Sequence, residues 1–169
     1  MSIIYLGLGS NLGDRFDNLD KATGLVHLHV GEVLESSQIY ETEPWGLKSQ
    51  PEFLNAVVKV GTKLSPSETL ERCLEIELKL GRVRFEKWGE RIIDIDLLFY
   101  GGEIIQNEKL VVPHPYLHER LFVLVPLSEV SNGLKHPQTG QSVKEMLESC
   151  PGKLNVKAIR EESLKRIDV

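Results

Sequence analysis

Residues 3–100 alternate between β-type and α-type patterning in the order strand, helix, strand, strand, helix, strand, which predicts an α+β protein with a ferredoxin-like β-α-β-β-α-β core. Three observations carry this expectation: an apolar run at 3–9 that ends in glycine, a strict alternation at 53–62, and a helix start at Ser65 with a stop at Gly81. Such a core predicts an antiparallel sheet with its helices on one face, leaving the other face to C-terminal additions and a ligand. With 169 residues and 19.1 kDa, one domain over 1–169 is expected.

The first run enters Gly9-Ser10-Asn11-Leu12-Gly13, a glycine-punctuated loop after a strand. Asp14 then caps a helix to about Leu28, because Phe16, Leu19, Ala22 and Val26 recur at helical spacing. Residues 33–42 read as one strand, followed by a proline- and glycine-bearing loop at 43–52. In the next strand Leu54, Ala56, Val58 and Val60 form the core face, with Phe53, Asn55, Val57 and Lys59 opposite. Ser65-Pro66-Ser67-Glu68 combines an N-cap serine, proline at N1 and glutamate at N3. After a charged loop at 82–91, residues 92–100 present Ile93, Ile95, Leu97 and Phe99 as one continuous apolar face. Gly101-Gly102 predicts a hairpin turn into 103–106. Beyond it come a Pro-His-Pro segment, a short helix from about Tyr116, a turn at 136–140 and a helix at 142–149, while the last twenty residues show no pattern.

Composition narrows the function. Hydrophobic residues are 41%, charged residues 27% and mean hydropathy −0.16, all inside the range of globular chains. No run approaches the roughly 18 apolar residues of a membrane helix, and residues 1–11 lack a basic leader, so a cytoplasmic monomer with no membrane partner is expected. A net charge of −5 argues against a nucleic-acid partner. Cys73 and Cys150 make no metal or redox spacing, and Cys73 falls on an apolar helix face.

Asp94 and Asp96 leave the same face of a strand, about 6.5–7 Å apart at their α-carbons, a spacing that suits a hard cation such as Mg²⁺. The plain alternative is a solvent-facing edge strand with ordinary acids. Just upstream, Arg82, Arg84, Lys87 and Arg91 stand against Glu86 and Glu90, a local +2 in an acidic chain. Alone this is a solvated charge run. Beside paired aspartates it supplies the cationic half of a phosphoryl-transfer site, with Gly81, Trp88 and Gly89 suiting a mobile lid. Glu77 interrupts the apolar stripe of its helix; it is either a flank residue or a carboxylate that fixes an arginine or a metal-bound water. Asn55, on a non-core face, either reads a heterocycle edge or meets solvent.

Other motifs fail. Gly7, Gly9 and Gly13 suggest a phosphate loop, yet Leu12 stands where a dinucleotide fingerprint needs glycine, and no Gly-Lys-Ser/Thr follows. His114 and His118 lack the partner motif of a zinc protease, and residues 53–60 lack the stacking aromatics of an RNA-binding module.

Seven segments together resemble the 6-hydroxymethyl-7,8-dihydropterin pyrophosphokinase family of folate biosynthesis over about residues 3–150. They are Gly9-Ser10-Asn11-Leu12-Gly13, Tyr40-Glu41-Thr42-Glu43-Pro44, Phe53-Leu54-Asn55-Ala56, Gly81-Arg82-Val83-Arg84, Lys87-Trp88-Gly89-Glu90-Arg91, Asp94-Ile95-Asp96 and Val112-Pro113-His114-Pro115. The resemblance implies transfer of a pyrophosphoryl group from ATP, as co-substrate, to a reduced pterin alcohol, with release of AMP. It implies that Asp94 and Asp96 hold two Mg²⁺ ions and that Arg82 and Arg91 complete the catalytic set by contacting phosphates. Thr42, Pro44, Trp45, Phe53, Asn55 and Phe122 match the pterin side; Glu77, Arg84, Trp88, His114 and Arg120 match the nucleotide side. Lys87, Trp45 and Pro115-Tyr116-Leu117 depart from residues found in other members. The competing expectation is a ferredoxin-like regulatory module that binds a small ligand without turnover, and such a module has no need of the acidic pair.

Overall fold

Strand β4 (Phe53–Thr62) is the element on which the sheet is assembled. The computed structural model describes residues 1–44, 49–82, 90–152 and 155–160. In it β4 pairs antiparallel with β1 (Ser2–Ser10) on one side and with β2 (Glu32–Ser36) and β3 (Ile39–Thr42) on the other. The far side of β1 carries β5 (Asp94–Tyr100), so the order is β5-β1-β4-β3, with β2 lying along the β3 side of β4. Helix α1 (Arg15–His29) follows β1 and α2 (Pro66–Lys79) follows β4, completing the expected ferredoxin-like core.

Both helix starts are set by local chemistry. The Asp14 side chain accepts the Asp17 N–H at 3.1 Å, and Ser65 and Glu68 close a reciprocal capping box at 3.2 and 2.7 Å. Gly81, at φ +92°, provides the left-handed residue that ends α2. Leu19, Ala22, Val26, Cys73 and Ile76 of these helices bury against Leu6, Leu8, Leu54, Ala56, Val58, Val60, Ile95 and Leu97 of the sheet. Burial pushes the Cys73 thiol up to about 12, so it acts as a small hydrophobe.

The structure departs from the sequence reading in four places. The single strand expected at 33–42 is broken at Ser37, whose buried hydroxyl accepts the Val57 N–H at 2.9 Å and donates to the Gln38 carbonyl at 2.8 Å. A side chain there takes a position in the ladder. On β5, Leu97 opposes Leu6 but Phe99 opposes Tyr5, leaving Leu98 as an extra residue. The bulge inverts the alternation, so the apolar face expected through Phe99 ends at Leu97, and Leu98 and Phe99 join the core on the opposite face. Gly101 does turn the chain, at φ +52°, yet the following β6 (Ile105–Gln106) pairs with β7 (Val111–Val112) rather than with β5. The helix expected from Tyr116 is a 3₁₀ turn, Leu117–Glu119, and then α3 (Leu121–Val130), separated by Arg120 in an extended conformation.

Helices α3 and α4 (Val143–Ser149, within the expected 142–149 and capped by Ser142) cover Tyr5, Val57, Leu98 and Phe99 on the second face. β8 (Val156–Arg160) extends the sheet beyond β3. Among the described residues no helix is long and apolar enough to cross a membrane.

Because the Ser65 capping box starts the helix that carries Glu77, Ser65→Ala should lower stability by about 1 kcal/mol. Urea unfolding checks this, with a shift in midpoint at unchanged slope as the expected result.

Candidate active site

Two glycines on β1 leave bare backbone between two polar strands. Gly9 stands between Asn55 of β4 and Asp94 of β5, and Gly7 stands opposite Asp96. A β-carbon at Gly9 would lie 3.0 Å from Asn55 Oδ1, and one at Gly7 would touch Leu98 at 3.5 Å. The glycines are therefore the floor of a cleft whose walls are an amide and two carboxylates. Their strand alternation was the signal for this, not the phosphate-loop pattern they superficially resemble.

Asp94 is bound on both oxygens: Arg82 Nη1 donates to Oδ1 at 2.8 Å and Arg91 Nη1 to Oδ2 at 3.0 Å. Arg82 is held in turn by Glu77, whose Oε1 lies 2.8 Å from the same Nη1 and accepts the Ile95 N–H at 2.8 Å. The Arg82 N–H also reaches the Glu77 carbonyl at 3.0 Å, so the end of α2 aims this side chain twice. Of the two readings of Glu77, the structure selects the buried carboxylate that fixes an arginine. Arg82 Nε remains buried without an acceptor among the described residues, a donor available to an anion.

Asp96 is less well neutralised. Its side chain keeps 34% of its surface open, and Arg120 Nη1 stands 4.0 Å from Oδ2. Lost solvation and the Asp94 charge push Asp96 up to about 7, against the pull of Arg120. Two carboxylates on one face, one of them short of a close cation, fit a divalent cation whose other positions are filled by water and phosphate. Among the described residues no group of three or more His, Cys, Asp or Glu could hold a metal ion by itself.

Arg120 is buried between two rings, 5.3 Å from the Tyr116 centroid and 5.6 Å from that of Phe122. His114 is pushed down to about 4 by burial and by Arg120, and its Nδ1 accepts the Tyr116 N–H at 3.2 Å. The imidazole is thus neutral at physiological pH. On the β4 side, Thr42 Oγ1 accepts the Asn55 amide at 2.6 Å, Pro44 is buried, and the Arg91 guanidinium lies 5.4 Å from the Phe53 centroid. Phe122 is half-buried. Trp45, Arg84 and Trp88 lie outside the described residues.

One residue of this network escaped the sequence reading. Asn11 is buried; its Nδ2 donates to Gln50 Oε1 at 2.9 Å and to the Pro51 carbonyl at 3.1 Å, while its Oδ1 accepts the Arg91 N–H at 2.9 Å. It ties the end of the 43–52 loop to the end of the 82–91 loop. An asparagine in a glycine turn carries no periodic signal that distinguishes a brace from an ordinary turn residue.

The sequence of the family described as 7,8-dihydro-6-hydroxymethylpterin-pyrophosphokinase (HPPK) matches residues 5–132. The chain is 47% identical over 148 residues to 2-amino-4-hydroxy-6-hydroxymethyldihydropteridine pyrophosphokinase of Methylorubrum extorquens, covering 87% of this chain and 92% of that one. It is 45% identical over 139 residues to the enzyme of the same name from Bacillus subtilis, covering 82% and 83%. A crystal structure of wild-type Plasmodium falciparum HPPK-DHPS superposes with a TM-score of 0.69 at 18% identity. That match covers 87% of this chain and 43% of the larger Plasmodium chain, and at this identity it speaks for the fold alone.

Asp96 retains a proton between its ordinary 3.8 and about 7, where an unfolded aspartate has lost it, so it should make folded protein free of divalent cations less stable as pH rises through that window. The loss is complete above about 7. Asp96→Asn removes the effect, so urea stability of the variant should gain on wild type from pH 4 to 7 and hold that gain at pH 8. A difference that is flat across this range would contradict the assignment.

Proposed function

The chain belongs to the 7,8-dihydro-6-hydroxymethylpterin-pyrophosphokinase family, and from that premise we infer that it transfers a pyrophosphoryl group from ATP to the hydroxymethyl group of 6-hydroxymethyl-7,8-dihydropterin in folate biosynthesis. The pterin hydroxyl oxygen forms a bond to the β-phosphorus and its proton passes to water, while the bond from that phosphorus to the α-phosphate oxygen breaks and AMP leaves. The observation that best supports this reading is the row Asn55–Gly9–Asp94, in which a heterocycle-reading amide faces a carboxylate bound by two guanidiniums across bare backbone.

Arg82 and Arg91 neutralise Asp94 in the ligand-free protein and exchange onto phosphate oxygens when the triphosphate enters. Asp94 and Asp96 would hold two Mg²⁺ ions, which would supply electrophilic activation of the phosphate chain. Glu77 keeps Arg82 aimed at the cleft, while His114 and Arg120 face the nucleotide together with Arg84 and Trp88. Phe53 and Phe122 stack on the pterin ring, and Thr42 holds the Asn55 amide for its polar edge, with Pro44 and Trp45 the other residues assigned to the pterin. Arginines that engage phosphate as charge redistributes favour the transition state over bound substrate. The protein acts as a single-domain cytoplasmic monomer on small molecules, a reading that rests on the acidic charge, the composition and the six-stranded sheet that joins strands from both ends of the described chain.

Incubation with ATP, Mg²⁺ and the reduced pterin alcohol should release AMP. ADP would instead indicate an ordinary kinase, and unchanged ATP would favour the regulatory binding module. Asp94→Ala and Asp96→Ala should each lower kcat by at least roughly 10²–10³-fold while the fold persists, because their carboxylates face the cleft and not the core. Near wild-type turnover by either variant at saturating Mg²⁺ would contradict the metal assignment.

A further inference from the structure

Tyr116 is 43% exposed, yet three contacts tie it to residues assigned above to the nucleotide side. Its ring centroid lies 5.3 Å from the Arg120 guanidinium, its ring meets the His114 ring at 6.1 Å and 55°, and its N–H donates to His114 Nδ1 at 3.2 Å. The segment beneath it is firmly seated. His114 N–H reaches the Leu98 carbonyl at 3.0 Å, Leu117 N–H reaches the His114 carbonyl at 3.2 Å, and the Leu117 side chain is buried.

The Arg82 Nη1 donor is engaged by Glu77 and Asp94, both at 2.8 Å. Arg120 has aromatic neighbours, with the rings of Tyr116 and Phe122 5.3 and 5.6 Å from its guanidinium and Asp96 Oδ2 4.0 Å from its Nη1. An aromatic face attracts a guanidinium through its quadrupole and orients its plane without occupying an N–H. The Tyr116 ring therefore acts with that of Phe122 in setting the plane of Arg120, and the Tyr116 N–H sets the acceptor tautomer of His114, leaving Nε2 as its donor.

We propose that Tyr116 is a positioning residue for nucleotide binding, its ring holding Arg120 and His114 in the arrangement that meets the nucleotide. The proposal rests on the assignment of those two residues made under Proposed function. Its essential part is the ring and not the hydroxyl.

The test uses the full-length chain, Tyr116→Leu, Tyr116→Phe and Arg120→Ala. The affinity of a non-transferable ATP analogue with Mg²⁺ is measured by calorimetry, alongside KM for both substrates and kcat. Tyr116→Leu should weaken analogue binding and raise KM for ATP by roughly three- to fivefold, with kcat and the pterin KM changed by less than about twofold. Tyr116→Phe keeps the ring and should stay within about twofold of wild type. Nucleotide affinity unchanged in Tyr116→Leu, an equal loss in Tyr116→Phe, or a parallel loss of pterin and nucleotide binding would each overturn the proposal. Arg120→Ala separates the two levels of inference: weakened nucleotide binding there with a normal Tyr116→Leu overturns the role of Tyr116 alone. Unchanged nucleotide binding in Arg120→Ala overturns the underlying assignment and this proposal with it.

Discussion

The rest of the site depends on how one carboxylate, Asp94, is neutralised at the start of β5. Two guanidiniums take its two oxygens, at 2.8 and 3.0 Å, and the surrounding structure exists to bring them there. Arg82 arrives from the end of α2, aimed by Glu77, and Arg91 arrives from the chain entering β5, with its N–H fixed by Asn11. Glycine at position 9 keeps the space between Asp94 and Asn55 open. Among the described residues around this point, the carboxylates Glu77, Asp94 and Asp96 face the guanidiniums Arg82, Arg91 and Arg120. Because guanidiniums already occupy both oxygens of Asp94, a divalent cation reaches that carboxylate favourably only with an anion that draws guanidinium charge away. A polyphosphate is that anion, which makes cation and nucleotide entry one linked event.

The same residues couple the two ends of the cleft. Asn11 holds both the Gln50-Pro51 end of one loop and the Arg91 end of the other, so a shift in either loop is felt by the other through one amide. Arg91 lies against the Phe53 ring, on the side proposed for the pterin, while bonding Asp94, on the side proposed for phosphate. Arg120 repeats the arrangement across the cleft, packed on Phe122 and turned toward Asp96. Each half of the site thus contains a cation that touches both an aromatic wall and a carboxylate.

Much of this was legible in the sequence because it follows from local rules. The capping box at Ser65, the alternation of β4 and the i, i+2 spacing of Asp94 and Asp96 each depend on residues within one element, and each holds in the structure. Glu77 was legible as a carboxylate out of place on an apolar stripe, which is why its partner could be expected before it was seen. The misreadings share another cause, since they depend on contacts between elements. Ser37 breaks a strand through a hydrogen bond to Val57, twenty residues away, and Leu98 is an extra residue only relative to β1. β8 is a five-residue edge strand with charged residues along it, and its pairing is decided by the open edge of β3. Asn11 acts through three partners in two distant loops, so no spacing rule could single it out.

The central claim is that Asp94 changes partners, from guanidinium to metal, only when nucleotide is present. Mn²⁺, followed by its electron paramagnetic resonance as a stand-in for Mg²⁺, reports this directly when titrated into the full-length protein with and without a saturating non-transferable ATP analogue. Protein alone should bind Mn²⁺ weakly, with an affinity unchanged by Asp94→Asn, whereas the nucleotide complex should bind it tightly and lose that binding in the same variant. Tight, Asp94-dependent binding of Mn²⁺ by the nucleotide-free protein would contradict the account.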